Sequence, residues 1–293
     1  MKILLIGHSI IDHFAEDTGN EEKPGGVFYS TLGICSAAKH EDEIFLLTSY
    51  NNKSFHLFEK VYSKANLKYS SEFENMPEVT LKTLVQGERE EIYKNISSKL
   101  LVEKVKDWNI FDGILINMIT GFDISVEQLN MIRKNFRGKI YFDVHTLTRG
   151  VDESMKRCFR PVPDVEKWLA CIDIIQCNEA ELKTITKSDS EYECAREVLD
   201  GGPEILVITK GDQGSSIYFP EDNKIGFFHC EAEKINAVNK IGCGDIFGAV
   251  FFYSYISKID AVNSLRLANK AGAAAASIKN LINLEKIEIN DWQ

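Results

Sequence analysis

Short unbroken apolar runs punctuate the chain at Ile3–Ile6, Ile44–Leu47, Ile114–Ile116, Ile140–Phe142, Ile172–Ile175 and Ile205–Ile208. Runs without polar alternation predict strands covered on both faces, the condition of a parallel sheet. Between them the period changes. Ser125 to Gln128 forms a capping box ahead of an amphipathic run through Val126, Leu129, Ile132 and Phe136, which predicts a helix. Pro163-Asp164-Val165-Glu166 predicts a second helix start. Asp245–Ile256 is apolar almost all round, as a buried helix is, and the small residues at 271–276 allow close packing. Strand and helix in alternation predict an α/β fold, a doubly wound, mostly parallel sheet flanked by helices.

Residues 70–95 break that pattern. Val79-Thr80-Leu81-Lys82-Thr83-Leu84-Val85-Gln86 alternates, Gly87-Glu88 turns the chain, and Arg89-Glu90-Glu91-Ile92-Tyr93 runs on. Alternation predicts exposed antiparallel strands, a small β lid to which residues 10–24 also contribute. No repeat, low-complexity tract or linker interrupts residues 1–293, so a single domain carrying this lid is expected.

Composition narrows the function. Thirty-four Lys and Arg against 44 Asp and Glu leave a formal charge of −10, which repels phosphate backbones and argues against general nucleic-acid binding. Anionic ligands must then be met by local N–H groups and a metal ion. No apolar stretch approaches the roughly 18 residues of a membrane span. The apolar start is short and Asp12 follows too soon for a signal peptide. Seven cysteines, an odd number without a C-x-x-C pair, fit reduced thiols in the cytoplasm rather than disulfides or zinc.

Open α/β sheets bind ligands at the carboxyl ends of their strands. After the apolar runs come Gly7, Asn117, Asp143, Asn178 with Glu181 close behind, and Thr209-Lys210-Gly211. Together these make a polar cleft with carboxylates, amides and glycine turns, a composition that suits magnesium and phosphate. The sharpest local feature is Gly242-Cys243-Gly244-Asp245, directly before the buried helix. Glycines admit a ligand close to the backbone, a helix start offers unpaired N–H groups, and Asp245 can take a proton from an attacking hydroxyl. The same residues also fit a tight turn with a capping aspartate, and the residues alone leave the two open.

Other candidates read more plainly. His8 and His13 are spaced by five, which does not align them on one helix face, so they make no metal pair. His145 and Asp143 fit either cleft lining or loop roles. Cys243 sits where a helix start lowers a thiol pKa, yet no histidine is near it in sequence, so an inert small residue is expected. Phe247, Phe251, Phe252 and Tyr253 read as core.

These residues resemble the ribokinase-like (PfkB) carbohydrate kinases over nearly the whole chain. Gly242-Cys243-Gly244-Asp245 is similar to that family's G-A-G-D signature, which implies an anion hole and a catalytic aspartate. Gly7-His8-Ser9-Ile10-Ile11-Asp12 resembles its G-x-x-x-x-D, implying that Asp12 holds substrate hydroxyls, and Gly25-Gly26 resembles its di-glycine turn in the substrate pocket. Asn178-Glu179-Ala180-Glu181 resembles N-x-x-E, implying magnesium organised by Glu181 largely through water. Thr209-Lys210-Gly211-Asp212-Gln213-Gly214 resembles T-x-G-x-x-G at the nucleotide, where Asn269 also falls. Arg89 lies where many members have a basic residue reaching toward substrate. The sequence departs from the family in three places. Asn239-Lys240 replaces Asp-Thr, which removes one negative charge and puts Lys240 where it either pairs with ATP phosphate or stays solvated. Cys243 replaces alanine. Ser30 stands where an asparagine binds the sugar, after bulky Phe28 and Tyr29.

The resemblance implies a phosphotransferase using ATP and Mg2+, with a monovalent cation and a homodimer through the lid as further implications. Its acceptor is expected to be an alcohol on a sugar, cyclitol or nucleoside, lined by Asp12, Gly25, Gly26, Ser30, Arg89 and Asp143. Two rivals accompany it. One is a vitamin-type kinase for a pyridoxine- or hydroxymethylpyrimidine-like alcohol, disfavoured by the lid. The other is a non-catalytic sensor of sugar or nucleotide, kept open by Asn239-Lys240.

Overall fold

The computed structural model describes residues 1–15, 22–82, 90–222, 224–284 and 286–287. The elements follow in chain order as β1 Lys2–Ile6, β2 Ser9–Phe14, β3 Glu22–Gly26, α1 Val27–Ala37, β4 Glu43–Leu47, β5 Ser49–Tyr50, α2 Glu59–Tyr62, β6 Ser71–Glu72, β7 Glu78–Lys82 and β8 Glu90–Asn95. Then come β9 Gly113–Asn117, α3 Val126–Asn135, β10 Lys139–Asp143, β11 Arg149–Val151, β12 Arg157–Phe159, α4 Val165–Leu169, β13 Ile174–Asn178, α5 Glu179–Ile185 and α6 Glu191–Asp200. The chain closes with β14 Ile205–Thr209, β15 Ser215–Glu221, β16 Lys224–Cys230, α7 Cys243–Ile256 and α8 Ala261–Ala276.

Eight strands form the main sheet in the order β16-β15-β14-β13-β10-β9-β1-β4. The six from β14 to β4 are parallel, and β15 and β16 add an antiparallel edge. Alternate side chains of each parallel strand enter two separate cores. Ile3 and Leu5 pack with α1, α7 and α8, whereas Leu4 and Ile6 pack with residues of α3, α5 and α6. A strand buried on both faces needs apolar residues at every position, which is why the unbroken runs mark the sheet. Phe251, Phe252 and Tyr253 of α7 are fully buried; each ring of this size contributes about 1.5–3 kcal/mol by leaving water. These three are core, as their pattern predicts, whereas Phe247 also walls a cleft.

The second sheet, in the order β3-β2-β7-β8, lies over the carboxyl edge of the first. Its pairs β2–β3 and β7–β8 are antiparallel, while β2–β7 is parallel. Ile10, Val79, Leu81 and Tyr93 turn one face inward onto Ile119, and Ile241 packs against them. The turn at Gly87-Glu88, Arg89 and part of residues 10–24 lie outside the described residues.

Two boundaries differ from the sequence reading. Strand β13 begins at Ile174 rather than Ile172, because Ile172 closes a turn onto Leu169. The helix expected at Pro163-Asp164-Val165-Glu166 forms as α4, but it starts at Val165, after Asp164 in a left-handed conformation, φ 50°, and runs only five residues. By contrast Ser125 and Gln128 form the reciprocal capping box that their spacing predicts.

Register brings the strand ends level, with Asp143 beside Asn117 and Asn178 beside Thr209. Within that edge His8 is wholly buried, its Nδ1 2.7 Å from Ser49 Oγ and its N–H donating to Asp123 at 2.8 Å. Burial lowers its pKa below the ordinary 6.5, against the attraction of Asp123. The unfolded chain takes up this proton near pH 6.5 and the folded chain does not, so folding loses stability as pH falls below that value. Between pH 7.5 and 5.5 urea unfolding of the protein should lose more stability than that of a His8→Asn variant, by up to about 1.4 kcal/mol per pH unit. Buried Asp143, whose carboxyl is raised, acts with the opposite sign in both proteins, so the difference between the variants isolates His8.

Candidate active site

The first turn of α7 is where the site is built. Gly242 precedes it with φ 75°, and no side chain caps its N–H groups among the described residues. That leaves donors pointing outward from a helix start, where the aligned peptides place about half a positive charge. A Cβ at Gly242 would also meet the Tyr29 ring at 2.5 Å, whereas one at Gly244 would meet nothing within 4 Å. Ahead of the helix, Asn239 shapes its own loop, accepting from the N–H of Ile241 at 3.1 Å and donating to its carbonyl at 2.9 Å.

Two cavities adjoin this turn. A cleft of about 1250 Å³ is walled by Thr209, Gly211, Gly214, Lys240, Cys243 and Gly244, with Phe247, Asn269 and Ala273 beyond. A smaller pocket of about 30 Å³ lies under the second sheet, bounded by Asp12, Gly26, Tyr29, His145, Gly242 and Asp245, and also by Arg157. The helix start therefore faces both spaces, Cys243 and Gly244 toward the cleft and Asp245 toward the pocket.

Asp245 is fixed from the sheet. Asn117, the last residue of β9, donates its amide to Asp245 Oδ1 at 2.6 Å and to Ser30 Oγ at 2.9 Å. Below it Gln176 donates to the Gly244 carbonyl at 3.2 Å and to Asp143 Oδ2 at 2.8 Å, and accepts from the Tyr141 hydroxyl. Asp12, on β2, packs its carboxylate against Gly25, where a Cβ would come within 2.3 Å of it.

Several expected residues serve other ends. Ser30 is buried and bonds Asn117, so it supports the site from behind. Asp143 is likewise buried, its carboxyl pushed well above the usual range by burial, then by the charges of Glu181 and Asp245; it borders neither cavity. Asn178 and Glu181 cap α5 reciprocally, and Glu181 also accepts from Arg149 at 2.9 Å. Lys210 turns away from the cleft to pair with both oxygens of Glu191, at 2.7 and 2.8 Å. Asn269 reaches the cleft, but its amide ties the Cys230 and Glu231 carbonyls and accepts from Ser215. Arg89 lies outside the described residues. The Cys243 thiol is pushed up to about 11, by burial and then by Asp245, which overrides the helix start and leaves it a poor nucleophile.

Sequence reading undervalued Asn117, Tyr29, Gln176 and Arg157. Asn117 is at least visible as a polar strand end; the others carry no local signal. Among the described residues no three His, Cys, Asp or Glu side chains cluster as a metal cage, and no helix is long and apolar enough to cross a membrane.

The fold class is that of ribokinase. A putative ribokinase II from E. coli in complex with ATP and Mg2+ superimposes with TM-score 0.72 at 19% identity, over 97% of this chain and 95% of that one. A pyrophosphate-dependent kinase in the ribokinase family, complexed with a pyrophosphate analog and myo-inositol, gives 0.72 at 15% identity over 94% of each. The model of the pfkB family carbohydrate kinases matches residues 139–287, half of the chain, and the chain belongs to that family. It is 28% identical to the D-tagatose-1-phosphate kinase of Bacillus licheniformis over 55% of this chain and 59% of that protein. It is 26% identical to the deoxyribokinase of Salmonella typhi over 42% of each. The chain thus matches no more than about three fifths of the length of these curated relatives.

The two glycines of the turn should respond oppositely to a methyl group. Gly242→Ala should lose about 1–3 kcal/mol in urea unfolding, from its left-handed backbone and the Tyr29 clash. Gly244→Ala, helical and open to space, should hold or gain stability, by up to about 1 kcal/mol. Equal effects at both would contradict the described geometry.

Proposed function

We propose that this protein transfers the terminal phosphoryl group of ATP to a hydroxyl of a small sugar-like molecule. One observation carries the reading: a single helix start separates a large cleft from a small pocket, with open N–H groups on one side and a pinned carboxylate on the other.

The acceptor enters at this pocket, which must widen from about 30 Å³ to admit a sugar, with its hydroxyl toward Asp245 and its other hydroxyls toward Asp12. Asn117 holds one oxygen of Asp245, leaving the carboxylate oriented to receive the acceptor's proton. The nucleotide lies in the cleft with its phosphates at the turn of Thr209 to Gly214 and at the N–H groups of Gly242, Cys243 and Gly244. Those groups meet the charge that grows on the equatorial oxygens during transfer. Lys240 adds a positive charge on the same side. A bound Mg2+ would neutralise the phosphates; Glu181, engaged by Arg149 and its own cap, would help hold it only through water.

Relatives favour an acceptor of this kind: the named enzymes act on tagatose 1-phosphate and deoxyribose, and one structural neighbour holds myo-inositol. That same neighbour uses pyrophosphate. Here the volume of about 1250 Å³ and the apolar walls of Phe247, Ala273 and Ala276 favour a donor with a base and a ribose.

A coupled assay with ATP and with pyrophosphate, across sugars, cyclitols and nucleosides, tests the reading. Turnover with ATP is expected, and Asp245→Asn should cut it roughly 100- to 10,000-fold with ATP binding retained. Tight ligand binding without turnover in the unaltered protein would return the sensor reading. Turnover with pyrophosphate alone would overturn the donor.

A further inference from the structure

Arg157 reaches the acceptor pocket from the β11–β12 hairpin. Its side chain is 4% exposed. The guanidinium lies over the Tyr93 ring at 4.3 Å, pairs with Glu91, and donates to the Tyr93 hydroxyl and to the Ile119 carbonyl at 2.9 Å. Its Nε is buried and has no partner among the described residues. The lid holds this arrangement in place. Tyr93 N–H donates to the Met155 carbonyl at 2.8 Å, and Lys156 pairs with Glu90 at 2.5 Å.

Burying a charge is costly, and an apolar side chain of similar size would seal the wall at least as stably. Stability alone therefore does not require a guanidinium here. The pocket already holds the carboxylates of Asp12 and Asp245, which repel a second anion. Arg157 offsets that repulsion, and its planar fork suits two oxygens of one group. Glu91 occupies part of the fork, while the Nε edge keeps donor capacity.

We propose that Arg157 selects the acceptor, and that the acceptor carries an anionic group, a phosphate monoester or a carboxylate, near the hydroxyl it presents. This deepens the kinase reading and rests on it. Glu91 acts as the competing internal anion. Removing Arg157 lowers selectivity for charged acceptors, and removing the Glu91 charge raises it. A purely structural role would alter charged and neutral acceptors alike.

The experiment uses D-glucose and D-fructose, their phosphate monoesters, and D-gluconate and D-glucuronate. It measures kcat/KM with ATP and, separately, the thermal shift each compound causes. The full chain is compared with Arg157→Gln, Arg157→Lys and Glu91→Gln. Charged acceptors should be preferred, with the esters and acids separating phosphate from carboxylate recognition. Arg157→Gln should lower the charged-to-neutral ratio roughly 10- to 100-fold, Arg157→Lys should restore part of it, and Glu91→Gln should raise it. Should Arg157→Gln fail to fold, Glu91→Gln, which keeps the guanidinium, decides. A preference for neutral acceptors, or a ratio that Glu91→Gln leaves unchanged, overturns the proposal while leaving the kinase intact. Charge-selective binding that depends on Arg157, without phosphorylation of any compound, supports the proposal and sinks the kinase reading.

Discussion

The amide of Asn117 joins Asp245 to Ser30, and the rest of the site depends on that bridge. A helix start with uncapped N–H groups is a poor place to leave a carboxylate unsupported, because an aspartate in the first turn can swing to cap its own backbone. Asn117 prevents this by holding Oδ1 from the end of β9. Gln176 does the same for the turn itself, taking the Gly244 carbonyl from β13. Two amides from the rigid sheet thus place a carboxylate and a set of donors on opposite sides of one helical turn. Gly242 alone tolerates the backbone that joins the turn to its loop, with the Tyr29 ring filling the space a side chain would need.

The two cavities differ in what they ask of the chain. The larger cleft is wide and part apolar, and it opens onto the helix start of a protein whose net charge is −10. The smaller pocket is roofed by Ile10, Val79 and Leu81 of the second sheet.

Much of this could be read before any coordinates. Strands buried on both faces write themselves as unbroken apolar runs, so β1, β4, β9, β10 and β14 were legible to within a residue. The glycine–aspartate turn was legible because its backbone demands are local. Side-chain destinations were not. Lys210 sits in a nucleotide-type turn, yet Glu191 on α6 claims it. Ser30 and Asp143 read as cleft lining and prove to be buried supports. Arg157 meets Glu91 and Tyr93 only because β12 runs against the lid strand β8, a pairing invisible in local pattern. Pro163-Asp164-Val165-Glu166 did mark a helix start, at Val165, but not how short the helix would be.

Direct passage of the phosphoryl group across the first turn of α7 has a stereochemical signature. ATP bearing a chiral thiophosphate at its terminal position can be given to the protein with its acceptor, and the configuration at phosphorus read in the product. Inversion is the expected result, since one in-line displacement joins cleft to pocket. Retention would mean that the group first settles on the protein, and would contradict a carboxylate that acts as base.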